Sequence, residues 1–352
     1  MSDSTLGVAI VGCGMIARFH VRALQDVPNT RLVAVVDRTE EIAARFRDTQ
    51  KLQVDAYGDL QQVLKRPDVH LIIIATPSGL HRDPSVAAAL AGKHVVVEKP
   101  MEITTERCDA ILDACRKGGV QLCTIFPSRF GDANVALKKA IEAGKFGRLT
   151  LGETTCKWWR SQAYYDEGGW KGTKALDGGG ALMNQAIHQV DLLQWMMGPV
   201  TEIVGFADTL AHQRIEVEDT AVACLRFASG ALGVIQATTS VYPGLPKTIS
   251  IHGDRGTAVI EQEDVLKWDF NPPTPDDEAV RQRFAQKVGA SGGSSDPAAI
   301  SHVGHARQLT DFVEAIRTGR KPLVDGQEGR KAVAIIEAIY QSAATGRIVK
   351  MG

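Results

Sequence analysis

The chain of 352 residues lacks three features that each mark a class of protein. It has no excess of charge, since 40 Lys and Arg stand against 41 Asp and Glu, giving a formal net charge of -1. Nucleic-acid binders need a basic face that releases counterions, and polybasic segments are what anionic membranes attract, so we expect neither partner. The longest purely apolar run, residues 86–91, is far shorter than the roughly 20 residues of a membrane helix.

Closely paired cysteines are also missing. No Cys-x-x-Cys pair occurs among the six cysteines, and such pairs are typical of zinc sites and redox motifs. The cysteines are therefore predicted to be reduced thiols of a cytoplasmic protein: Cys13, Cys108, Cys115, Cys123, Cys156 and Cys224. The first apolar segment, 6–11, leads into a glycine motif that signal-peptide cleavage would remove, so we expect no signal peptide.

The length and the alternation of patterns predict two domains, the first over residues 1–125. Short runs rich in Val and Ile alternate there with segments of helical spacing, which is typical of a parallel sheet covered on both faces. The predicted strands are 8–11, 32–36, 71–75, 94–97 and 121–125, and the helices are 17–24, 40–47, 60–65, 84–91 and 105–117. Right-handed crossovers between them give a Rossmann fold.

The second domain is predicted over residues 126–352. After a helix at 134–143, six strands follow, most of the later ones joined by turns alone, which predicts a mainly antiparallel open sheet in an α+β domain. These strands are 149–158, 201–209, 220–227, 230–239, 247–252 and 257–261. The Pro, Asp, Ser and Gly clusters of 271–297 indicate a long surface loop, and two helices are expected at 305–317 and 328–345. The fold class is thus α/β, a Rossmann domain followed by an α+β domain.

A dinucleotide fingerprint, Gly-x-Gly-x-x-Ala, occupies residues 12–17 between the first strand and the first helix. Gly12 permits the tight turn, Gly14 allows backbone to approach a pyrophosphate, and Ala17 allows close packing of helix on strand. The N–H groups of Met15 and Ile16 at the helix N-terminus would receive the pyrophosphate.

Asp37 ends the second strand, twenty residues after Ala17, near the spacing of a ribose ligand. A carboxylate there binds the adenosine hydroxyls and repels a 2′-phosphate, which favours NAD over NADP. The adjacent Arg38 leaves the choice open, because an arginine can stack on adenine or bind that phosphate.

Two further motifs lie at strand ends, where open α/β sheets bind ligands. One is Thr76-Pro77 with His81 four residues later, and the other is Glu98-Lys99-Pro100. Pro100 restricts Lys99 to extended backbone, so the lysine is held at the crevice. With the fingerprint, these motifs resemble the glucose–fructose oxidoreductase/inositol dehydrogenase (Gfo/Idh/MocA) family over nearly the whole chain. We accordingly assign Thr76, Pro77, His81, Glu98 and Lys99 to the cofactor site.

A glycine loop at 178–180 precedes a predicted helix over 181–197, on which Asn184, His188, Asp191 and Trp195 share one face. A histidine in such a helix is more often a core residue, but the family resemblance implies that His188 is catalytic. Many sugar dehydrogenases of the family have Asp where this chain has Asn184. Either Asp191 orients the imidazole, or His188 works without an anionic partner.

Residues 164–173 and 182–185, with 215–220, are similar to the subgroup of the family that oxidises C3 of UDP-N-acetylglucosaminuronate. The family resemblance also places Trp170 and the basic residue Lys171 near the cofactor. Candidates for substrate contact, besides Lys99 and His188, are Arg129, Arg160, Tyr164, Tyr165, Asn184 and Gln185. His302 and His305 have no third ligand nearby in the sequence, so we predict solvated side chains and no metal site.

These features predict an NAD-dependent oxidoreductase that transfers a hydride between a sugar ring carbon, C3 of a pyranoside or nucleotide sugar, and nicotinamide. His188 would take the hydroxyl proton and Lys99 would stabilise the oxygen, although the two roles are interchangeable at this point. The alternatives are an NAD-dependent glycosidase acting through transient C3 oxidation and a non-catalytic NAD(P)-sensing regulator. The exposed face of a lone sheet indicates a homodimer or homotetramer.

Overall fold

The computed structural model describes residues 5–285 and 301–352. They form two compact units, one from the described parts of 1–127 and 301–333, the other from those of 128–300 and 334–352. The prediction that 126–352 forms one continuous domain is therefore wrong for 301–333. This segment returns to the first unit because the helix at 303–318 buries Leu309, Phe312 and Ile316 in that unit's apolar core.

The first unit has a six-stranded sheet of order β3-β2-β1-β4-β5-β6 in which all neighbours are parallel. Its strands are β1 Leu6–Val11, β2 Thr30–Val36, β3 Asp55–Tyr57, β4 Leu71–Ile74, β5 His94–Val97 and β6 Leu122–Thr124. Most side chains of the central strands are fully buried, as expected for a sheet covered on both faces. The predicted Rossmann fold is confirmed; only the three-residue edge strand β3, too short for a pattern, was not predicted.

Helices connect these strands: α1 Met15–Gln25, α2 Glu40–Thr49, α3 Leu60–Leu64, α4 Arg82–Leu90 and α5 Thr105–Gly118. Local sequence fixes several ends. The Thr39 hydroxyl accepts the Ile42 N–H at the start of α2, and Thr104 accepts the Arg107 N–H at the start of α5. Gly119, with φ +65°, ends α5 in the left-handed conformation.

The second unit has an eight-stranded sheet of order β13-β12-β11-β7-β10-β9-β8-β14. Its strands are β7 Leu149–Lys157, β8 Val200–Asp208, β9 Thr220–Phe227, β10 Leu232–Thr238, β11 Thr248–Gly253, β12 Gly256–Glu261, β13 Asp264–Phe270 and β14 Val349–Lys350. Only the β7–β10 pair is parallel. The mainly antiparallel sheet is thus confirmed, with β13 and β14 added to the predicted strands.

The remaining α-helices are α6 Asp132–Glu142, α7 Gln162–Asp166, α8 Ile187–Met197, α9 Pro275–Arg283, α10 Val303–Thr318 and α11 Gly326–Thr345. Helix α9 lies within the stretch predicted as a loop. Its start is a capping box in which Thr274 and Asp277 satisfy each other's backbone N–H groups, with Pro275 at the first position. The rest of that predicted loop, 286–297, lies outside the described residues. In the part of the chain that the structure describes, no helix combines the length and apolar character needed to cross a membrane.

Candidate active site

The glycine loop between β1 and α1 has the conformation that a dinucleotide site requires. Gly12 has φ +94°, and a Cβ there would lie 2.6 Å from the Ala75 carbonyl oxygen, so only glycine fits. Gly14 is the N-cap of α1, and a Cβ on it would meet no atom within 4 Å. No side chain caps α1. Met15 and Ile16 begin α1, where N–H groups have no partner within the helix, so they stay candidates for binding a pyrophosphate.

Asp37 is tied to this loop by its carboxylate. Oδ2 accepts the Cys13 N–H at 2.7 Å, and Oδ1 accepts the Arg38 N–H at 2.7 Å. Each carboxylate oxygen has two acceptor sites, so both keep a lone pair for a ribose hydroxyl. The Arg38 side chain is exposed. Burial and the neighbouring Asp37 raise the pKa of Cys13 to about 12, which keeps this thiol protonated.

His81 joins the two strand-end motifs. Its Nδ1 lies 2.8 Å from the Pro100 carbonyl oxygen and its Nε2 lies 2.9 Å from that of Thr76. The side chain is 1% exposed, and burial lowers its pKa. His81, predicted at the cofactor site, thus lies between the Thr76-Pro77 and Lys99-Pro100 segments, and its neutral imidazole can donate to one of the two carbonyls.

Glu98 is buried directly before Lys99. Its Oε1 accepts a hydrogen bond from His20 Nε2 at 2.7 Å, and its Oε2 accepts the Lys99 N–H at 3.1 Å. His305 Nε2 lies 3.9 Å from the same Oε1. His20, on α1, was missed by sequence reasoning, because one histidine on an amphipathic helix carries no signal for a partner 78 residues away.

The prediction that His302 and His305 are solvated is wrong for His305. That side chain is 5% exposed, and burial lowers its pKa to about 4. One turn of helix earlier, His302 is half-buried and its Nε2 lies 3.0 Å from Asp26 Oδ2. Among residues 5–285 and 301–352, no three His, Cys, Asp or Glu side chains are grouped to hold a metal ion.

The predicted helix over 181–197 starts as a π-helix, Ala181–Ala186, and continues as α8. The predicted common face therefore holds within α8 for His188, Asp191 and Trp195, but Asn184 lies on the wider π turn. Such π segments are frequent at functional sites. Within 181–197, Asn184, His188 and Trp195 are half-buried and the other residues are buried.

The N-terminus of this π-helix is held by Glu218, which lies in the segment 215–220 but for which the sequence predicted no role. Glu218 Oε2 accepts the Gly180 N–H at 2.9 Å, and Oε1 accepts the Leu182 N–H at 2.7 Å and the Tyr340 hydroxyl at 3.0 Å. Burial raises the pKa of Glu218. The sequence does not indicate this role, because Glu218 lies 38 residues from Gly180.

Asn184 has an anionic neighbour after all. Its Nδ2 donates to Asp177 Oδ1 at 2.6 Å, and Asp177 Oδ2 accepts the Gly172 N–H at 2.8 Å. Asp177, which is 1% exposed, links the π-helix to the loop that carries Trp170 and Lys171. Asp177 directly precedes the glycine loop at 178–180, and its place in the sequence gives no signal of this role.

Arg129, a predicted substrate contact, forms a buried ion pair with Asp191. Its Nε and Nη2 donate to the two carboxylate oxygens at 2.9 and 2.6 Å, and the two side chains are 1% and 0% exposed. The guanidinium also stacks over the Trp195 ring at 5.3 Å. The structure thus assigns Arg129 to holding Asp191 in place, and an orienting role of Asp191 toward His188 stays a prediction.

Four other predicted residues meet around one phenol, and we call them the Tyr164 cluster: Arg160, Tyr164, Lys171 and Gln185. Arg160 Nη2 donates to Gln185 Oε1 at 3.0 Å, and Gln185 Nε2 lies 3.5 Å from the Tyr164 hydroxyl. The Arg160 guanidinium and the Lys171 ammonium lie 5.6 and 4.0 Å from the Tyr164 ring centroid.

Two residues beside the cluster have other partners. Tyr165 directs its hydroxyl to Thr239 Oγ1 at 3.0 Å. Trp170 is half-buried, and its carbonyl accepts the Thr173 hydroxyl at 2.7 Å.

Two family models match the chain. The NAD-binding Rossmann fold of an oxidoreductase family matches residues 6–126, and the GFO/IDH/MocA C-terminal domain matches residues 134–259. The WlbA dehydrogenase of Bordetella pertussis, whose structure contains NADH and UDP-GlcNAcA, is 33% identical over 99% of each chain with a TM-score of 0.87.

Two further proteins are similar over nearly their whole length. The WlbA dehydrogenase of Chromobacterium violaceum, with the same two ligands, is 32% identical, covers 100% of this chain and 97% of that chain, and has a TM-score of 0.88. Levoglucosan dehydrogenase of Pseudarthrobacter phenanthrenivorans is 27% identical over 96% of each sequence.

The predicted family, NAD cofactor and oxidoreductase class are confirmed by these matches. The glycine loop, Asp37 and the strand-end motifs lie within the matched Rossmann domain, and their role as the cofactor site stays a prediction. On this evidence the chain belongs to the Gfo/Idh/MocA family of oxidoreductases and carries its NAD-binding Rossmann domain.

Proposed function

We propose that the protein is a dehydrogenase that oxidises a ring hydroxyl of a sugar, at C3 of a pyranoside or nucleotide sugar that carries an anionic group. The observation that carries this proposal is the Tyr164 cluster, which sets two cationic side chains and one amide around a phenol. The two WlbA dehydrogenases support it, since UDP-GlcNAcA combines a pyranose with a carboxylate and phosphates.

The reaction removes a hydride and a proton from one CH–OH group and leaves a ketone. NAD bound at the glycine loop would supply the acceptor for the hydride. His188, half-buried on α8, would take the hydroxyl proton, and the imidazole is suited to this near neutral pH. Lys99 would donate a hydrogen bond to the same oxygen and offset the negative charge that develops as the proton leaves.

The cations of the Tyr164 cluster would bind the anionic part of the substrate. Arg160 presents a planar guanidinium that is already oriented by hydrogen bonds to Gln185 and to the Trp159 carbonyl. Lys171 Nζ lies 2.6 Å from Glu167 Oε2, and the Glu167 side chain is mostly exposed. A carboxylate or phosphate of the substrate could replace Glu167 as the partner of Lys171. A neutral free sugar offers no anionic group to these cations and should bind weakly.

A substrate panel at fixed NAD tests the proposal. Free hexoses, inositols, sugar phosphates, neutral glycosides and UDP-sugars are compared by NADH formation, and NMR locates the new ketone. We expect the highest kcat/KM with an anionic pyranoside and oxidation at C3. Best activity on free inositol, or oxidation of a free aldose at C1, would overturn the substrate assignment, and glycoside cleavage without net NADH would favour the glycosidase.

The catalytic assignments have their own test with the best substrate of the panel. Lys99→Met and His188→Asn should each lower kcat by about two to four orders of magnitude, the range for losing acid–base help, with little change in the Kd of NADH. Lys117→Met, at an exposed lysine on α5, is the matched control and should leave kcat unchanged. A His188→Asn enzyme with near-normal kcat would rule out His188 as the general base.

We also propose that the protein self-associates through the exposed face of its eight-stranded sheet. Phe206, Val222 and Leu232 on three adjacent strands are 74%, 45% and 49% exposed, which is unusual for apolar side chains grouped on one surface. Sedimentation equilibrium at micromolar concentration decides between a monomer and the predicted homodimer or homotetramer.

A further inference from the structure

We propose that Glu98, held by His20 and covered by His305, is a positioning residue that fixes the backbone of Lys99 and keeps its side chain in the protonated form. We call these three residues the Glu98 cluster. The inference rests on the proposed role of Lys99 in the dehydrogenase reaction, which requires an ammonium group that donates to the substrate oxygen.

The geometry brings three separate elements of the first unit to one carboxylate. Glu98 follows β5, His20 lies on α1 and His305 lies on α10. An ionised carboxylate can only accept, so the 2.7 Å contact with His20 is a hydrogen bond from Nε2–H to Oε1. The rings of His20 and His305 pack edge to face with their centroids 5.5 Å apart. All three side chains are at most 5% exposed, so solvent does not compete for the carboxylate.

One carboxylate oxygen of Glu98, Oε1, therefore binds His20, while the other, Oε2, binds Lys99. Oε2 accepts the Lys99 N–H at 3.1 Å, which fixes the backbone from which the lysine side chain extends. Glu98 thus acts through Lys99, because its two carboxylate oxygens accept hydrogen bonds from His20 Nε2 and from the main-chain N–H of Lys99.

The charges support the same reading. Burial alone would raise the pKa of Glu98, but the hydrogen bond from His20 and the positive charges of His20 and Lys99, joined in acid by that of His305, lower it to about 2. Glu98 is consequently ionised at neutral pH. An electrostatic interaction between two groups is mutual, so the carboxylate that Lys99 stabilises also stabilises the charged form of Lys99.

Other charged groups face the cluster and act in known directions. The carboxylate of Glu98 favours the charged form of His81, although burial dominates and lowers the pKa of that residue. His305 has its pKa lowered by burial to about 4 and is neutral at pH 7, so it covers the carboxylate without neutralising it. The charge of His302 repels that of His305 and so also lowers the pKa of His305.

Competitive labelling of the folded holoenzyme tests the inference without any substrate. Trace acetic anhydride acetylates neutral amines, and peptide mass spectrometry reports the rate at Lys99 relative to the exposed Lys117. In Glu98→Gln we expect this ratio at pH 7.5 to rise about tenfold, because losing a nearby carboxylate lowers a lysine pKa by about one unit. Glu106→Gln, at an exposed glutamate on α5, is the matched control and should change the ratio by less than twofold.

A ratio in Glu98→Gln within twofold of wild type overturns the inference. Should that variant fail to fold, wild type alone decides: the pH midpoint of labelling at Lys99 must lie above that at Lys117, and a midpoint below it overturns the inference.

Kinetics with the best sugar substrate provide the second readout. We expect Glu98→Gln to lower kcat about tenfold while the Kd of NADH changes less than threefold. Because His20 acts through Glu98, Glu98→Gln/His20→Asn should lose no more than Glu98→Gln alone, within about twofold. If the double variant loses the product of the two single-variant losses in kcat, Glu98 and His20 have independent structural roles and the inference is overturned. If no sugar is oxidised by wild type, the proposed function fails, while the labelling still decides the role of Glu98.

Discussion

Replacement of Asp37 by asparagine should convert a preference for NADH into near indifference between NADH and NADPH. The structure leaves one lone pair on each Asp37 oxygen for a ribose hydroxyl, since the other two accept the Cys13 and Arg38 N–H groups. A hydrogen bond to a charged acceptor contributes about 1.5–3 kcal/mol. Loss of the charge should therefore weaken NADH binding about 10- to 100-fold.

The same substitution should improve NADPH binding. A 2′-phosphate near Asp37 meets like charge, and two charges about 4 Å apart in water repel by about 1 kcal/mol, which corresponds to about fivefold in Kd. Asparagine retains a carbonyl oxygen that can accept the Cys13 N–H, so the glycine loop keeps its anchor. Asp37→Ala removes that acceptor as well and should weaken both cofactors by about a further fivefold.

Fluorescence titration of NADH and NADPH with wild type, Asp37→Asn, Asp37→Ala and the control Asp48→Asn measures these changes. Asp48 is an exposed residue near the end of α2, and its replacement should leave both Kd values unchanged. Tighter binding of NADPH than NADH by wild type would refute the assignment of Asp37. An Asp37→Asn protein that keeps the wild-type ratio within threefold would refute it equally.

Two further predictions concern buried ionisable groups. Arg129→Met removes the guanidinium from the buried Asp191 carboxylate, so it should cost about 3–5 kcal/mol and lower Tm by about 10 °C in thermal unfolding. Arg129→Met/Asp191→Leu should recover most of the loss, and equal Tm values for the two variants would contradict this. Burial lowers the pKa of His305 from 6.5 to about 4 in the folded protein. Between these two pH values the histidine is protonated in the unfolded chain but not in the folded one. The free energy of unfolding should therefore fall by about 3 kcal/mol as the pH drops from above 6.5 to about 4. His305→Asn should lack this part of the pH dependence in urea unfolding, while His302→Asn should keep it.

The sequence predicted the first unit well because its signals are local. Runs of Val and Ile identify β1, β2, β4 and β5, and a glycine with φ +94° at position 12 is required by the turn itself. The prediction of a loop over 275–283 is wrong, because Pro and Asp indicate loops in general but also form the first turn of a helix when Thr274 and Asp277 cap it.

Partners far apart in the sequence could not be predicted. Arg129 has the chemistry of a substrate ligand, yet it pairs with Asp191, 62 residues away. The sequence predicted that His305, like His302, is solvated, yet His305 lies on the buried face of α10. Neither a spacing rule nor a residue type indicates which of several charged side chains will meet when distant elements pack.

The sequence by itself determined the fold class, the cofactor loop and the residues from which a site can be built, because hydrophobic period, glycine conformation and strand-end position are properties of short segments. Only the tertiary structure decided which of these residues are bound to one another: Glu98 to His20, Asn184 to Asp177, and Gly180 with Leu182 to Glu218. The physical reason is that a buried charge must find a partner wherever packing places one, and packing joins segments without regard to their distance along the chain.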